Sequence, residues 1–259
     1  MFVSRLLRNT ALGEFICRRR QQWRLKADFR TIRADDRRRI SFYSQFIRPG
    51  DTVFDVGANR GNRTKTFLEL GAKVVAFEPQ DSCAEYLKSV LSNERRFTLV
   101  RMALGPHEGK ANMMISSTTV LSSLSPAWVA ATKASGRFAN YEWEESQEVS
   151  VTTLDQMIAT HGQPSFVKID VEGFELEVLC GLSRPLPCIS IEFTAEYLDN
   201  SFQAIDRLAS LGPIEGQLSH GETLELALST WVSAEDLKAA VVNVGPRSVG
   251  DIYVRSIEL

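Results

Sequence analysis

Short β-branched runs alternating with helical patterns predict an α/β fold, a right-handed parallel sheet with helices on both faces. Two further observations support it. Two separate strands end in an acid and then a glycine turn into a helix, at Val53–Asn62 and Phe166–Glu175, which is how open α/β sheets build a ligand crevice. The chain of 259 residues is 44% hydrophobic and 24% charged, with a mean hydropathy of -0.12. That balance allows a sizeable core and excludes wholesale disorder or a collagen-like repeat.

The elements follow in order. Leu6, Leu7, Leu12 and Phe15 interleave with arginines, so residues 1–40 read as a basic helical arm and residues 41–259 as the body. Ile40, Tyr43, Phe46 and Ile47 at helical spacing predict a second helix, which Arg48-Pro49-Gly50 stops. Then come a strand at Thr52–Val56, a helix at Asn62–Leu70, a strand at Lys73–Phe77, a helix at Asp81–Leu91 and a strand at Phe97–Arg101. This is the alternation of a Rossmann-like core. Residues 105–147 form a long connection holding the tract Ser116–Ser123, then Trp128 and Phe138–Trp143. Long connections in compact α/β domains are usually functional loops or disordered. This one is the candidate acceptor-side lid, unless it is a tolerated surface insertion. Strand-forming runs resume at Glu148–Thr152 and Phe166–Asp170, followed by a helix at Glu175–Gly181 and a strand at Cys188–Phe193. A strand-forming run at Glu222–Leu228, a helix at Ala234–Val241 and a strand at Asp251–Val254 complete the pattern, with no internal repeat.

The net charge of -2 hides an asymmetry: residues 1–50 hold 13 Lys and Arg against 4 acids, a net +9, leaving 17 against 28, a net -11, for the rest. Such a split suits either a polyanion or membrane-surface partner for the arm, or an arm docked on its own acidic body. Cys17, Cys83, Cys180 and Cys188 form no C-x-x-C pair, and His107, His161 and His220 stand far apart. A zinc ribbon or disulfide framework is therefore not expected, and free thiols in a reducing compartment are. No signal-peptide pattern opens the chain, and the longest uncharged stretch, Ala111–Thr132, is rich in Ser and Thr and contains Pro126. A cytoplasmic location is expected.

The turn Asp55-Val56-Gly57-Ala58-Asn59-Arg60-Gly61 runs from strand into helix, where unpaired helix N–H groups face a ligand's anionic end. Asn59 stands where the dinucleotide fingerprint has its second glycine, so a nucleoside with a small carboxylate fits better than a pyrophosphate. The turn alone reads equally well as ligand-free. Glu78, at the carboxyl end of the second strand before Pro79, tips the balance, because a carboxylate there can accept both hydroxyls of a ribose. Asp170 and Glu172 follow the fourth core strand, which should lie beside the first and face the same crevice. Two carboxylates there can orient a cationic ligand, take a proton or hold Mg²⁺. No metal ligand set is assigned, and Glu175 reads equally as an acid complementing a helix dipole.

These segments, with Ala103-Leu104-Gly105, Thr153-Leu154-Asp155, Lys168–Glu175 and Gly250–Tyr253, resemble the FkbM-type S-adenosylmethionine-dependent methyltransferases from about Phe42 to Arg255. The resemblance implies a Rossmann-like class I methyltransferase fold: a seven-stranded, mostly parallel sheet with an antiparallel C-terminal hairpin and helices on both faces. It implies S-adenosylmethionine as cofactor, with Asp55, Gly57, Ala58, Asn59 and Gly61 cradling its methionyl part. Glu78 becomes the ribose ligand, Met102 and Ala103 the adenine wall, and Asp170 a neighbour of both cofactor and acceptor. His107 inherits no role. Asp170 is the first candidate for the base and Glu172 the second. The resemblance favours O-methylation of a hydroxyl on a sugar, glycan or polyketide-type small molecule. Two other readings stay open: a catalytically silent methyltransferase-like module tethered by the arm, and an RNA methyltransferase, against which the acidic body speaks. The expected partner is a small-molecule or glycan acceptor. The arm is expected to touch an anionic membrane or polyanion weakly at most, with no specific nucleic acid.

Overall fold

The computed structural model describes residues 23–245 and 248–259. Leu6, Leu7, Leu12 and Phe15, on which the arm's first helix was read, lie outside these residues. Residues 23–30 are helical, and α1 follows at Ala34–Tyr43. Asp36 caps the start of α1 by accepting the Arg33 N–H at 2.8 Å, and Asp35 and Asp36 both suit the positive end of the helix. Asp36 also accepts from Lys65 Nζ at 2.6 Å, which ties α1 to the body. Phe29, Phe42, Tyr43 and Ile47 share one apolar cluster with Val53, Phe67, Val74, Phe166 and Tyr253. The 40/41 position falls inside α1.

The core elements are β1 (Thr52–Val56), α2 (Asn62–Glu69), β2 (Lys73–Phe77), α3 (Asp81–Leu91) and β3 (Phe97–Val100). Next come β4 (Ala103–Leu104), β5 (Gly109–Ile115), α4 (Pro126–Ala134), β6 (Glu145–Thr152) and α5 (Leu154–His161). The remainder is β7 (Phe166–Ile169), α6 (Glu175–Cys180), β8 (Cys188–Thr194), α7 (Leu198–Leu211), β9 (Ile214–His220), α8 (Ala234–Val242) and β10 (Val249–Ser256).

Seven strands form the main sheet in the order β3-β2-β1-β7-β8-β10-β9. β1 pairs parallel with both β2 and β7, its Val56 level with Phe77 on one side and Ile169 on the other. The chain therefore changes direction across the sheet between β1 and β7, and the carboxyl ends of β1, β2 and β7 open onto one crevice. β10 is antiparallel to both neighbours and lies between β8 and β9, so the C-terminal pair is antiparallel and β9 forms the edge. Apolar side chains from both faces fill two clusters, one around Phe54, Val167, Ile191 and Ile252 and the other around Val53, Val74 and Phe166.

The long connection has a structure of its own. β6 sits in the middle of a second, three-stranded sheet, parallel to β4 and antiparallel to β5, so the run Glu148–Thr152 forms a strand outside the main sheet. Ser125 caps α4 by accepting the Trp128 N–H at 3.2 Å, and Pro126 fills the first helical position. Trp128 is 1% exposed and packs against Phe138 and Trp143.

One expected strand is corrected. Glu222–Leu228 is irregular, and the strand precedes it at Ile214–His220. Leu224, at φ 57, and Leu226 pack on the core from this irregular path, while Gln217 holds the segment by donating to the Leu228 and Thr230 carbonyls. Among the described residues, Cys83, Cys180 and Cys188 are free thiols. No helix among them is long and apolar enough to cross a membrane.

Candidate active site

Two cavities meet at the carboxyl edge of the sheet. A cleft is lined by Gly57, Asn59, Glu78, Met102, Ala103 and Asp170, with Thr119, Ser122 and Leu124 of the long connection also on its wall. A second space lies against Asp55, Gly57, Ala58, Asn59, Asp170 and Glu172, with Arg39, Arg60 and Arg63 also on its wall. Gly57, Asn59 and Asp170 line both. Of the residues assigned to cofactor binding or catalysis from sequence, Gly61 alone lines neither.

The two glycines of the first turn answer to packing. Gly57 has φ +80, and a Cβ there would lie 1.8 Å from the Asp170 carbonyl oxygen. Its missing side chain lets the end of β1 sit against the end of β7. At Gly61, also φ +80, a Cβ would strike Leu87 at 2.6 Å. A ligand's approach is not what demands either glycine.

Glu78, 4% exposed, is aimed at the first cleft. Its Oε2 accepts the Asn59 N–H at 2.6 Å and its Oε1 the Gln80 N–H at 2.7 Å. Each carboxylate oxygen therefore keeps a lone pair for a second donor, and a vicinal diol supplies two. Asp55, buried at the end of β1, accepts the Thr64 hydroxyl. Cys83 and Thr119 both donate to Asn59 Oδ1, at 3.4 and 3.2 Å, which joins the long connection to the first turn.

On the second cavity, Asp170 is 33% exposed and lies 3.3 Å from Nζ of Lys168. That lysine is buried, and its Nζ also donates to Asp251 Oδ1 at 2.7 Å. Glu172 sits at φ 55, with its carbonyl accepting from Ser123 Oγ at 2.6 Å. Glu175 turns back and accepts the Val171 and Gly173 N–H groups at 3.1 and 3.2 Å. Its role is to cap the loop that carries Glu172. His107 is exposed and faces neither cavity.

The methyltransferase FkbM domain family matches residues 55–213, the stretch that carries both turns, Glu78 and Asp170. The chain belongs to this methyltransferase family. Solved structures that resemble it include an O-methyltransferase from Bacillus cereus in complex with SAH, at 11% identity and TM-score 0.43, covering 92% of this chain and 89% of that one. Another is the precorrin-6y C5,15-methyltransferase of Geobacter metallireducens GS-15, at 13% identity and TM-score 0.44, covering 85% of this chain and 88% of that one. A third is Aeropyrum pernix fibrillarin with natively bound S-adenosyl-L-methionine, at 9% identity and TM-score 0.44, covering 81% and 68%. No curated protein sequence matches the chain.

The acids of this FkbM-domain methyltransferase are not equivalent. Burial, with a smaller push from Asp55, raises the Glu78 carboxyl to about 7. Burial and Asp170 raise Asp55 to about 6 against the opposing Thr64 hydrogen bond. Burial works to raise Asp170 as well, but Lys168 and Arg63 outweigh it and its net shift is downward. Glu172 goes the other way, pushed well up by burial, Asp170 and Glu175. Sequence reading missed Gln80 in the first cleft and Arg63, Glu192 and Glu222 in the second, while Thr119 and Ser122 of the first cleft belong to the tract read as a candidate lid. Lys168 carried the one usable signal, a lysine inside an apolar strand, where a charge needs a partner.

Proposed function

We propose that this chain transfers the methyl group of S-adenosylmethionine to a hydroxyl oxygen on a sugar, glycan or polyketide-type small molecule. The observation that carries the reading is the junction of the two cavities at Asp170, one holding a diol-accepting carboxylate and the other lined with carboxyl groups. Glu78 would take the ribose hydroxyls, Met102 and Ala103 the adenine, and Gly57, Ala58, Asn59 and Asp55 the methionyl end. Bound there, S-adenosylmethionine supplies an electrophilic methyl group on a positively charged sulfur. Asp170, held ionised beside Lys168, suits the attraction of positive charge.

In-line displacement needs the acceptor oxygen aligned with the methyl carbon and sulfur, and alignment alone can contribute roughly 7–11 kcal/mol. The walls of the second cavity would supply it, their carboxyl groups accepting hydrogen bonds from acceptor hydroxyls. A hydroxyl must lose its proton as it attacks, and Asp170 and Glu172 are both placed to receive it. The long connection would act as the acceptor-side lid, since Thr119 and Ser122 line the first cleft and Val120 the second. The sequence carries no recognisable RNA-binding module and the body is acidic overall, so no specific nucleic acid is proposed. Weak contact with an anionic membrane or polyanion is assigned to residues 1–22, which hold five arginines.

The test is incubation of the protein with methyl-labelled S-adenosylmethionine and fractionated cell extract. Label is expected in the small-molecule or glycan fraction, and label on protein or RNA would overturn the acceptor class.

A further inference from the structure

Glu192 belongs to no motif, yet its backbone sets it directly across from Asp251 in the β8–β10 pairing. Its strand neighbours Ile191 and Phe193 are buried, while Glu192 is half-buried and lines the acceptor-side cavity. Asp170, Glu172 and Glu192 each bring a carboxylate oxygen within 4.8 Å of the others. Like charges gathered this closely repel, and a proton held among them relieves the repulsion.

The surrounding charges bear this out. β7 presents Lys168 and Asp170 to Glu192, the following loop Glu172 and Glu175, and β10 Asp251. Lys168 is the cation held between Asp170 and Asp251. Arg63 of α2 is committed to Glu222 at 2.7 Å, and Arg137 to Glu196 at 3.4 Å. Of the other arginines on this cavity, Arg39 pairs with Asp36 at 3.1 Å and Arg60 lies over the Tyr86 ring at 4.3 Å, and burial, Asp170 and Glu172 push the Glu192 carboxyl well up.

We propose that Asp170 and Glu192 share a proton in the free protein, release it when the cofactor's positive charge binds beside them, and use the vacated carboxylate to receive the acceptor's hydroxyl proton. This rests on the function proposed above and adds Glu192 to the catalytic residues. In the transfer, the O–CH₃ bond forms as the S–CH₃ bond breaks, with its electron pair going to sulfur. The acceptor O–H bond breaks and its proton goes to the Asp170–Glu192 pair. Sulfur is then neutral, so the charge that expelled the first proton is gone and the pair keeps the second. The base gains proton affinity as the methyl group leaves, which matches it to the step.

Isothermal titration calorimetry in two buffers of different ionisation enthalpy counts the protons released on binding, and needs no acceptor. At pH 7, S-adenosylmethionine should release about one proton more than S-adenosylhomocysteine, whose sulfur is neutral. Glu78 meets the same ribose in both ligands, so its contribution cancels in the difference. Glu192→Gln should abolish the difference while leaving affinity for S-adenosylhomocysteine within a few-fold. Equal proton counts in the native protein, or a difference that persists in Glu192→Gln, would overturn the proposal and leave the cofactor reading standing. Failure of both ligands to bind would overturn both. Proton release on adding Mg²⁺ alone, lost in Glu192→Gln, would also overturn it by giving the cluster to a cation. Should Glu192→Gln not fold, the native protein decides: the difference must vanish at pH values high enough to ionise the pair before binding, and a difference constant to pH 10 counts against it.

Discussion

At the scale of single residues, Glu78 is the proposed ribose ligand. Its carboxylate is fixed by two backbone N–H groups, so it meets a ribose without reorganising. Two charge-assisted hydrogen bonds at roughly 1.5–3 kcal/mol each mean that Glu78→Ala should weaken S-adenosylmethionine binding by about 100-fold or more. Unchanged affinity by calorimetry would remove the ribose assignment. The same residue sets a pH dependence. Its carboxyl titrates at about 7 in the free protein, raised chiefly by burial, and the diol needs it ionised. Affinity should therefore rise with pH by about tenfold per unit below 7 and level off above. S-adenosylhomocysteine is the ligand for this measurement, because its neutral sulfur spares the Asp170–Glu192 pair. Glu78→Gln should flatten the slope, and a slope unchanged in that variant would move the titration to another group.

Among the secondary-structure elements, the decisive contact is between α4 and the loop after β7. Gly173 has φ +87, and a Cβ there would lie 2.3 Å from Cβ of Trp128. Trp128 Nε1 also donates to Thr194 at 3.3 Å, so the long connection is clamped onto the loop that carries Glu172. Gly173→Ala should cost about 2 kcal/mol or more, from a strained backbone and an overpacked contact. In a Trp128→Gly background, which removes that Cβ, the cost should fall by about 1 kcal/mol or more, the coupling that a double-mutant cycle in urea reads. Equal costs in the two backgrounds would deny the contact. None of this could be read from sequence, because Gly173 and Trp128 lie in separate patterns and only the folded chain brings them together. By contrast β1, α2, β2 and α3 were legible to within a residue or two, each being a clear period bounded by turn residues. α7 was legible and overlooked: Leu198, Phe202, Ile205, Leu208 and Leu211 repeat at helical spacing and pack on the core. Period-two leucines at 224, 226 and 228 misled in the opposite sense, since an irregular segment can bury alternate side chains once Gln217 satisfies its backbone. Asp55, Glu78 and Asp170 stood at strand ends next to turns and could be found. Glu192 sits mid-pattern in an apolar strand, and its meaning depends on a sheet order that inserts β10 beside β8.

For the whole molecule, the charge split acquires a consequence for stability. Part of the basic segment is spent internally, with Arg39 on Asp36 at 3.1 Å and Arg38 on the Thr223 carbonyl at 3.0 Å. Several acids of the body lie at the carboxyl edge of the sheet, where folding buries them and raises their proton affinity. Asp55 is raised to about 6, and Glu78 and Glu175 to about 7, burial leading in each case. In the unfolded chain these carboxyls titrate near 4. Between roughly pH 4.5 and 7 the folded state therefore binds up to about three more protons than the unfolded one, and stability falls as pH rises through that window. The slope is about 1.4 kcal/mol per pH unit for each proton. Asp36, Glu94 and Glu222 have lowered values, each through nearby Arg or Lys groups that outweigh burial. Their stabilisation is present above the unfolded pKa and is lost in acid, which places the optimum near pH 5. The cofactor-free protein should accordingly show a melting temperature that peaks near pH 5 and declines steadily to pH 8. Glu175→Gln, which keeps the shape of the loop cap and removes the titration, should make that decline shallower. A melting temperature that climbs from pH 5 to pH 8 would mean that these carboxyls are not buried as protonated groups, and the cavity electrostatics would have to be redrawn.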